Sequence, residues 1–475
     1  MKEEKDLELI QKMNRELLKE VNKSKYSSKK IKKLIEFKAS INVKDLKRTT
    51  PLLYLLSHQT WDTELIRYMV EMKSDLNWKD NSGENSLIKI CNHHNISEEL
   101  IEYFIENKAD TNNYENNQIM PLHLALKNTQ INIKIAKILI EKCEMKIDSL
   151  DHFKYTPLQR ACSNPYLNKE IIKYLVEKKS DINYSGNADE KSCLHYICSS
   201  TKLDNEILQY FFDKKCKIDV VDFFEDTPLH LVCKNSNFNL SILQLFLDNK
   251  CDFKSKNINN MTPLHYYSQN KSINLNLLIL FSQQKIDFNS SDCYNSIPLH
   301  YLCLNSDYSL ELLEFFIENT SDINKKNYLN NTPLHYFFSN PNLNGISLKF
   351  MFDQKSDINI VNFSGKRPFE CLDVLNEEIA VVILSQQQFF FERKSIFSTS
   401  VMNIFSQYEK GILWNVDRHK YFPNLFFESC FSFLLCFKVF FLEKIKPMTA
   451  FPKPILKIII QKIATPFSNS TKINI

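Results

Sequence analysis

Asp226-Thr227-Pro228-Leu229-His230-Leu231-Val232-Cys233-Lys234-Asn235 reads as the opening of a helix. The hydroxyl of Thr227 is placed to cap the N-terminus. Pro228 then occupies the first helical position, where its missing N–H costs nothing and its fixed φ helps. The quartet Thr-Pro-Leu-His stands complete at Thr227, Thr262 and Thr332. Near-copies start at Thr50, Met120, Thr156, Ser192, Ile297 and Arg367, with a worn one at Asn85. The second residues of successive quartets lie 35 residues apart in seven steps and 36 apart in two. A fixed period in this range is the mark of a stacked array, in which each unit rests on its neighbours.

Within one unit, Leu229, Leu231 and Val232 supply apolar contacts and Cys233 ends the stripe. Asn235 follows and recurs as Asn128, Asn164, Asn270, Asn305 and Asn340, where a left-handed conformation closing the first helix is expected. A second helix is predicted from Ile242, Leu243, Phe246 and Leu247. Matching stripes occur at Leu65/Ile66/Met69/Val70, Leu100/Ile101/Phe104/Ile105 and Leu312/Leu313/Phe316/Ile317. An extended segment, Lys250-Cys251-Asp252-Phe253, and a polar turn lead to the next quartet.

This order, the quartet itself and the recurring Ser-Asp-Ile-Asn (Ser180–Asn183, Ser321–Asn324, and Ser356–Asn359 with the same pattern) resemble the ankyrin repeat. The resemblance implies an all-α ankyrin-repeat solenoid, built of helix-turn-helix units joined by hairpin-like loops. On this reading residues 1–45 are a degenerate N-terminal capping repeat and residues 46–386 an array of ten repeats. Residues 387–475 are an apolar, Phe-rich C-terminal region, expected as a helical extension. Two features depart from the family. Its period is 33, so the two extra residues are expected in the loop between the helices. Where the family has Gly after the second helix, this chain has Lys38, Lys73, Lys108, Lys179, Lys215, Lys250, Lys285 and Lys355. A non-Gly residue held left-handed there costs about 1 kcal/mol.

Chemistry is harder to find. Six histidines share the fourth quartet position: His123, His195, His230, His265, His300 and His335. A row of His suggests metal. Equivalent positions in packed helices, however, lie roughly 8–10 Å apart, whereas zinc needs every ligand at about 2 Å. The resemblance implies instead that these rings satisfy backbone groups between neighbouring turns. Cys91, Cys162, Cys198, Cys233 and Cys303 lie three residues beyond that position and read as small buried residues. With five Gly, no phosphate-cradling loop is present, and no metalloprotease or EF-hand motif occurs. No catalytic residue, cofactor or metal ligand is assigned, and no enzymatic activity is expected.

Net charge is +4 over 475 residues, which exerts no global pull toward nucleic acid or membrane. The charged start Met1-Lys2-Glu3-Glu4-Lys5 lacks a signal sequence's apolar run. Thirteen Cys without disulfide-framework spacing suit a reducing compartment. A cytoplasmic location is expected. Lys29-Lys30-Ile31-Lys32-Lys33 reads as the solvated face of a capping helix rather than a phosphate-binding or import patch.

The resemblance places partners on the hairpin tips and the exposed side of the first helices, along a concave surface. The tips carry Phe153, Phe223, Phe224, Tyr294, Tyr328 and Phe363, with Tyr155 close by. The ends of the first helices add Lys234, Gln269 and Leu304. Aromatic anchors and mixed polarity favour protein partners over nucleic acid. The function expected is a non-enzymatic interaction scaffold or adaptor. In the C-terminal region the most apolar stretch, Ser429–Phe437, is far shorter than the roughly 20 residues of a membrane span. Phe451-Pro452-Lys453-Pro454-Ile455-Leu456-Lys457-Ile458-Ile459 is similar to the start of an F-box, with Phe in place of the first Leu. That similarity implies an alternative: a substrate-recognition adaptor that brings in ubiquitin-ligase components. A small helical domain sealing the open end of the array is the other reading of this region.

Overall fold

Each quartet starts a short helix, as the N-terminal Pro preference requires. The chain, described by a computed structural model over residues 2–111, 120–143, 146–372, 379, 382 and 383, forms two units, Met1–Cys293 and Tyr294–Ile475. The region from residue 387 onward, including the F-box-like stretch, lies outside the described residues.

The first unit opens with helices Lys2–Val21 and Ser28–Glu36. Its later first helices are Pro51–Leu56, Ser86–Asn92, Pro121–Lys127, Pro157–Cys162, Cys193–Ser199, Pro228–Lys234 and Pro263–Ser268. The second helices paired with them begin at Thr63, Glu98, Ile133, Lys169, Asn205, Leu240 and Leu275. Successive first helices pack on one another along the unit. The second unit has helices Pro298–Leu304, Leu310–Asn319, Pro333–Phe338 and Gly345–Asp353, then a 3-10 turn Pro368–Cys371. No strand occurs among the described residues, and no helix there is long and apolar enough to cross a membrane. The stripes predicted for the second helices are buried: Ile242, Leu243 and Phe246, and likewise Leu312, Leu313, Phe316 and Ile317. In the opening pair, Ile31 is buried while Lys30 reaches Glu20 at 3.1 Å, so the basic run is the outer face of a packed helix.

Asn235 and its equivalents do not close the first helix by turning left-handed. Asn128, Asn235 and Asn305 have φ between −70° and −76° with extended ψ. Their side chains act instead. Asn235 Nδ2 donates to the carbonyls of Cys198 and Ser200, both at 2.8 Å, and Asn270 Nδ2 to those of Cys233 and Asn235 at 2.7 and 2.9 Å. Each Oδ1 accepts the N–H two residues on, at Asn237 and Ser272. The first helix thus ends with carbonyls that the next repeat satisfies, as buried acceptors require. In early repeats His58 and His93 take this place, with Nε2 against Val21 O and His58 O at 2.7 Å.

The five-residue loop that begins at this Asn has two further fixed parts. Its fourth residue is apolar and buried, as at Ile131, Leu167, Leu203, Phe238, Ile273 and Leu343. Its fifth caps the second helix: Asn239 Oδ1 accepts from Ile242 N at 3.1 Å and Asn274 Oδ1 from Leu277 N at 3.0 Å.

The expected left-handed lysines are all present. Lys38, Lys73, Lys108, Lys179, Lys215, Lys250, Lys285 and Lys355 have φ between 53° and 69°. They sit at the second-helix C-termini, where Lys250 N donates to Leu247 O at 3.0 Å and Cys251 N to Phe246 O at 3.2 Å. The next residue is buried and small in most repeats, as Ala39, Ser74, Ala109, Ser180, Cys216, Cys251 and Ser356 show.

Two repeats carry one residue more than the others. In the repeat starting at Pro121, the second helix continues as a π-helical turn over Ile138–Lys142, which absorbs one residue. In the repeat starting at Pro157, the addition falls in Tyr184-Ser185-Gly186, where a Cβ on Gly186 would meet Tyr184 Oη at 2.7 Å.

Candidate functional site

The hairpin tips are built by one polar device. Asp222 N–H donates to Asp226 O at 3.0 Å, and Asp222 Oδ1 accepts from Phe224 N at 2.9 Å and Asp226 N at 3.0 Å. Glu225, just before the end of the turn, has φ 59°. The same arrangement recurs on Asp45, Asp80, Asp151, Asn187 and Asn257 in the first unit, and on Asn327 and Asn362 in the second. The Asx turn holds each tip without glycine at most positions.

Neighbouring tips are stitched through their backbones. In the first unit Phe223 N donates to Asp189 O at 3.0 Å, Ile258 N to Phe224 O at 3.0 Å and Cys293 N to Asn259 O at 2.7 Å. In the second, Tyr328 N donates to Tyr294 O at 2.8 Å and Phe363 N to Leu329 O at 3.0 Å. Backbone polarity is therefore consumed inside the edge, and the side chains between those bonds face outward.

Phe153, Phe223 and Phe224 in the first unit, and Tyr294, Tyr328 and Phe363 in the second, are each 55–71% exposed. Tyr155 is set apart from them. It is half-buried, its hydroxyl donates to Asp189 Oδ2 at 2.6 Å, and the Arg160 guanidinium lies 3.8 Å from its ring centre. Lys234, Gln269 and Leu304 are exposed at the ends of first helices, with Lys234 Nζ 5.8 Å from the Tyr266 ring.

A further row was not singled out in the sequence: the residue right after the quartet. Tyr54, Arg160, Tyr196, Tyr266 and Tyr336 occupy it, half-buried beneath the tips. Tyr54 donates to Asp45 Oδ2 at 2.7 Å and Tyr266 to Asp226 Oδ2 at 2.9 Å, while Arg160 Nε donates to Asp151 Oδ2 at 2.7 Å. The Asp45 hydrogen bond, with burial, pushes the Tyr54 hydroxyl up to about 12. The signal was available, since a Tyr or a cation recurs one residue past a quartet whose preceding tip carries Asp or Asn.

The quartets themselves are occupied in holding the array. Backbone N–H groups of Ser192, Thr227, Thr262 and Thr332 donate to Nδ1 of His195, His230, His265 and His335 at 3.0–3.1 Å. Nδ1 is therefore the unprotonated nitrogen. Nε2 carries the proton and donates to the next loop, from His195 to Asp226 O at 2.9 Å and from His230 to Met261 O at 3.0 Å. Gln159 achieves the same with fixed chemistry: Oε1 accepts from Thr156 N at 3.0 Å, and Nε2 donates to Tyr184 O and Lys191 O at 2.8 Å. Thr227 and His230 form a capping box, in which Thr227 N donates to Nδ1 at 3.1 Å and the Thr227 hydroxyl lies 2.9 Å from the same nitrogen. Burial lowers the pKa of His195, His230 and His335. Cys91, Cys162, Cys198, Cys233 and Cys303 are buried, and burial pushes the thiols of Cys91, Cys198, Cys233 and Cys303 upward.

Residues 90–186 and 194–292 match the family model for ankyrin repeats (3 copies). The chain carries ankyrin repeats. No curated protein matches it. Ankyrin repeats are in general a protein–protein interaction module, and the geometry fits that use. Quartet side chains are spent on the fold, while tip side chains stand exposed on a hydrogen-bonded backbone.

Proposed function

We propose that this ankyrin-repeat chain is a non-enzymatic scaffold or adaptor that engages partner proteins along its hairpin tips and the ends of its first helices. The observation that carries the reading is the exposure of Phe153, Phe223, Phe224, Tyr294, Tyr328 and Phe363 on edges whose backbone is already hydrogen-bonded. Large aromatic rings left in water on a rigid support are costly to keep and typical of interface anchors. Lys234, Gln269, Leu304 and the partly buried Tyr155 supply the polar and apolar rim. The eleven described cysteines are free thiols, which supports action in the reducing cytoplasm.

The test is site-specific photo-crosslinking in cells, with the reactive residue placed at Phe223 or at Gln244, which is exposed on a second helix. Protein adducts from Phe223 and few from Gln244 support the reading. Adducts that come equally from both positions, or mainly from Gln244, overturn it.

A further inference from the structure

The tips of the second unit differ in charge from those of the first. Among the described residues, the tips and the segments entering the quartets at 294–298, 324–333 and 358–368 carry Lys325, Lys326, Lys366 and Arg367 and no carboxylate. The nearest acids are buried, engaged or remote: Asp292, two residues before Tyr294, is buried. Asp322 and Asp357 lie at the roots of the loops, where their Oδ1 atoms accept from Asn324 N at 2.9 Å and Asn359 N at 2.8 Å. Glu370 Oε2 accepts from Arg367 N at 2.6 Å. Glu311, Glu314 and Glu318 lie on the second helix Leu310–Asn319.

On that acid-free edge stand Tyr294, Tyr328, Leu329 and Phe363, 59–71% exposed, with Lys326 and Lys366 exposed beside them. Its parts are fixed. Asn295 Nδ2 donates to Lys326 O at 2.8 Å, Asn362 Nδ2 to Asn331 Oδ1 at 2.8 Å and His335 Nε2 to Lys366 O at 3.3 Å. Tips of the first unit carry carboxylates, with Asp189 and Glu190 beside Lys191, and Glu225 beside Asp226.

We propose that the tip edge of the second unit, formed by Tyr294, Tyr328, Leu329, Phe363, Lys326 and Lys366, binds an acidic protein segment that carries aromatic or aliphatic side chains. The inference rests on the interaction reading above and adds the partner's chemistry and its place on the chain. Charge complementarity selects the occupant: cations without competing carboxylates attract acid, and exposed rings with Leu329 offer apolar contact between them. Nucleic acid fits less well, because affinity for it grows with the number of phosphates neutralised and the exposed lysines here are few.

The experiment selects a random peptide library displayed on phage against the full chain. Enriched peptides are then titrated by fluorescence anisotropy against wild type, a Tyr328→Ala/Phe363→Ala variant and a Lys326→Glu/Lys366→Glu variant. An oligouridylate is titrated in parallel. The expected result is net-acidic peptides with aromatic or aliphatic residues, weakened about tenfold or more by either double substitution and weakened further by added salt. Three results overturn the inference while leaving the interaction reading intact: enrichment of neutral or basic peptides, acidic peptides indifferent to both variants, or oligouridylate binding more tightly than any peptide. Failure to enrich any peptide also overturns the inference, and the crosslinking at Phe223 then decides the interaction reading separately.

Discussion

Within one repeat, the quartet and the tip use similar residue types to opposite ends. His230 is buried and has both ring nitrogens committed, one to Thr227 N and one to Met261 O. Phe223, a few residues earlier, is 60% exposed; its N–H donates to Asp189 O at 3.0 Å and its ring meets that of Phe224 edge-on at 5.4 Å. A ring with polar atoms is enclosed, and a purely apolar ring stands in water. The difference teaches where selection for folding ends: polar atoms that can bridge two repeats are drawn inside, and side chains left outside on a rigid edge answer to something other than stability.

The comparison breaks most visibly if the quartet is emptied. Leu264→Ala, at a fully buried site, should cost about 2–5 kcal/mol and split the thermal transition, because stability in an array is a sum over neighbours. A single, barely shifted transition in calorimetry would count against that.

His230→Ala strands Thr227 N and leaves Met261 O with the Asn257 N–H alone, and should cost about 1–3 kcal/mol in urea unfolding. His230→Gln should recover most of the loss, since Gln159 already makes both bonds in its own repeat.

The same pair predicts a pH effect. Burial holds His195, His230 and His335 below their usual pKa, so the unfolded chain binds more protons between the folded and unfolded values. Stability is then complete above the ordinary histidine range and is lost as pH falls from there toward the folded values. Melting temperature should drop on acidification, and less steeply in a triple Gln variant; parallel profiles would show that these rings do not titrate between the two states.

Lys250→Gly relieves a side chain held at φ 56° and should stabilise by about 1 kcal/mol; an unchanged or lower melting temperature would contradict the strain. The smallest effect on stability belongs to the tip. Phe223→Ala should leave the unfolding free energy within about 0.5 kcal/mol of wild type while lowering partner capture, and a large destabilisation would make the ring a packing residue.

Much of this was legible beforehand. The period, the second-helix stripes, the buried cysteines and the left-handed lysines all follow from local rules: helical periodicity, residue size and the φ demanded at a helix end. Asn235 misled for a physical reason. Asn tolerates a left-handed backbone, but its amide can also donate to two carbonyls of the preceding repeat, and that alternative exists only once the repeats stack. The recurring Tyr after the quartet was visible in the sequence, but its partners were not: Tyr54 meets Asp45 across a folded loop of its own repeat, and Tyr266 meets Asp226 of the preceding one.

By itself the sequence determined the repeat, its helices and their apolar faces, since these depend on residues within one turn or one period of each other. The tertiary structure decided which tautomer His230 adopts, where Asn235 points, how the tips are stitched, and which rings remain in water. The ring of His230, the amide of Asn235 and the stitched tips each meet a backbone group supplied by a neighbouring repeat, at a distance along the chain that local chemistry does not reach.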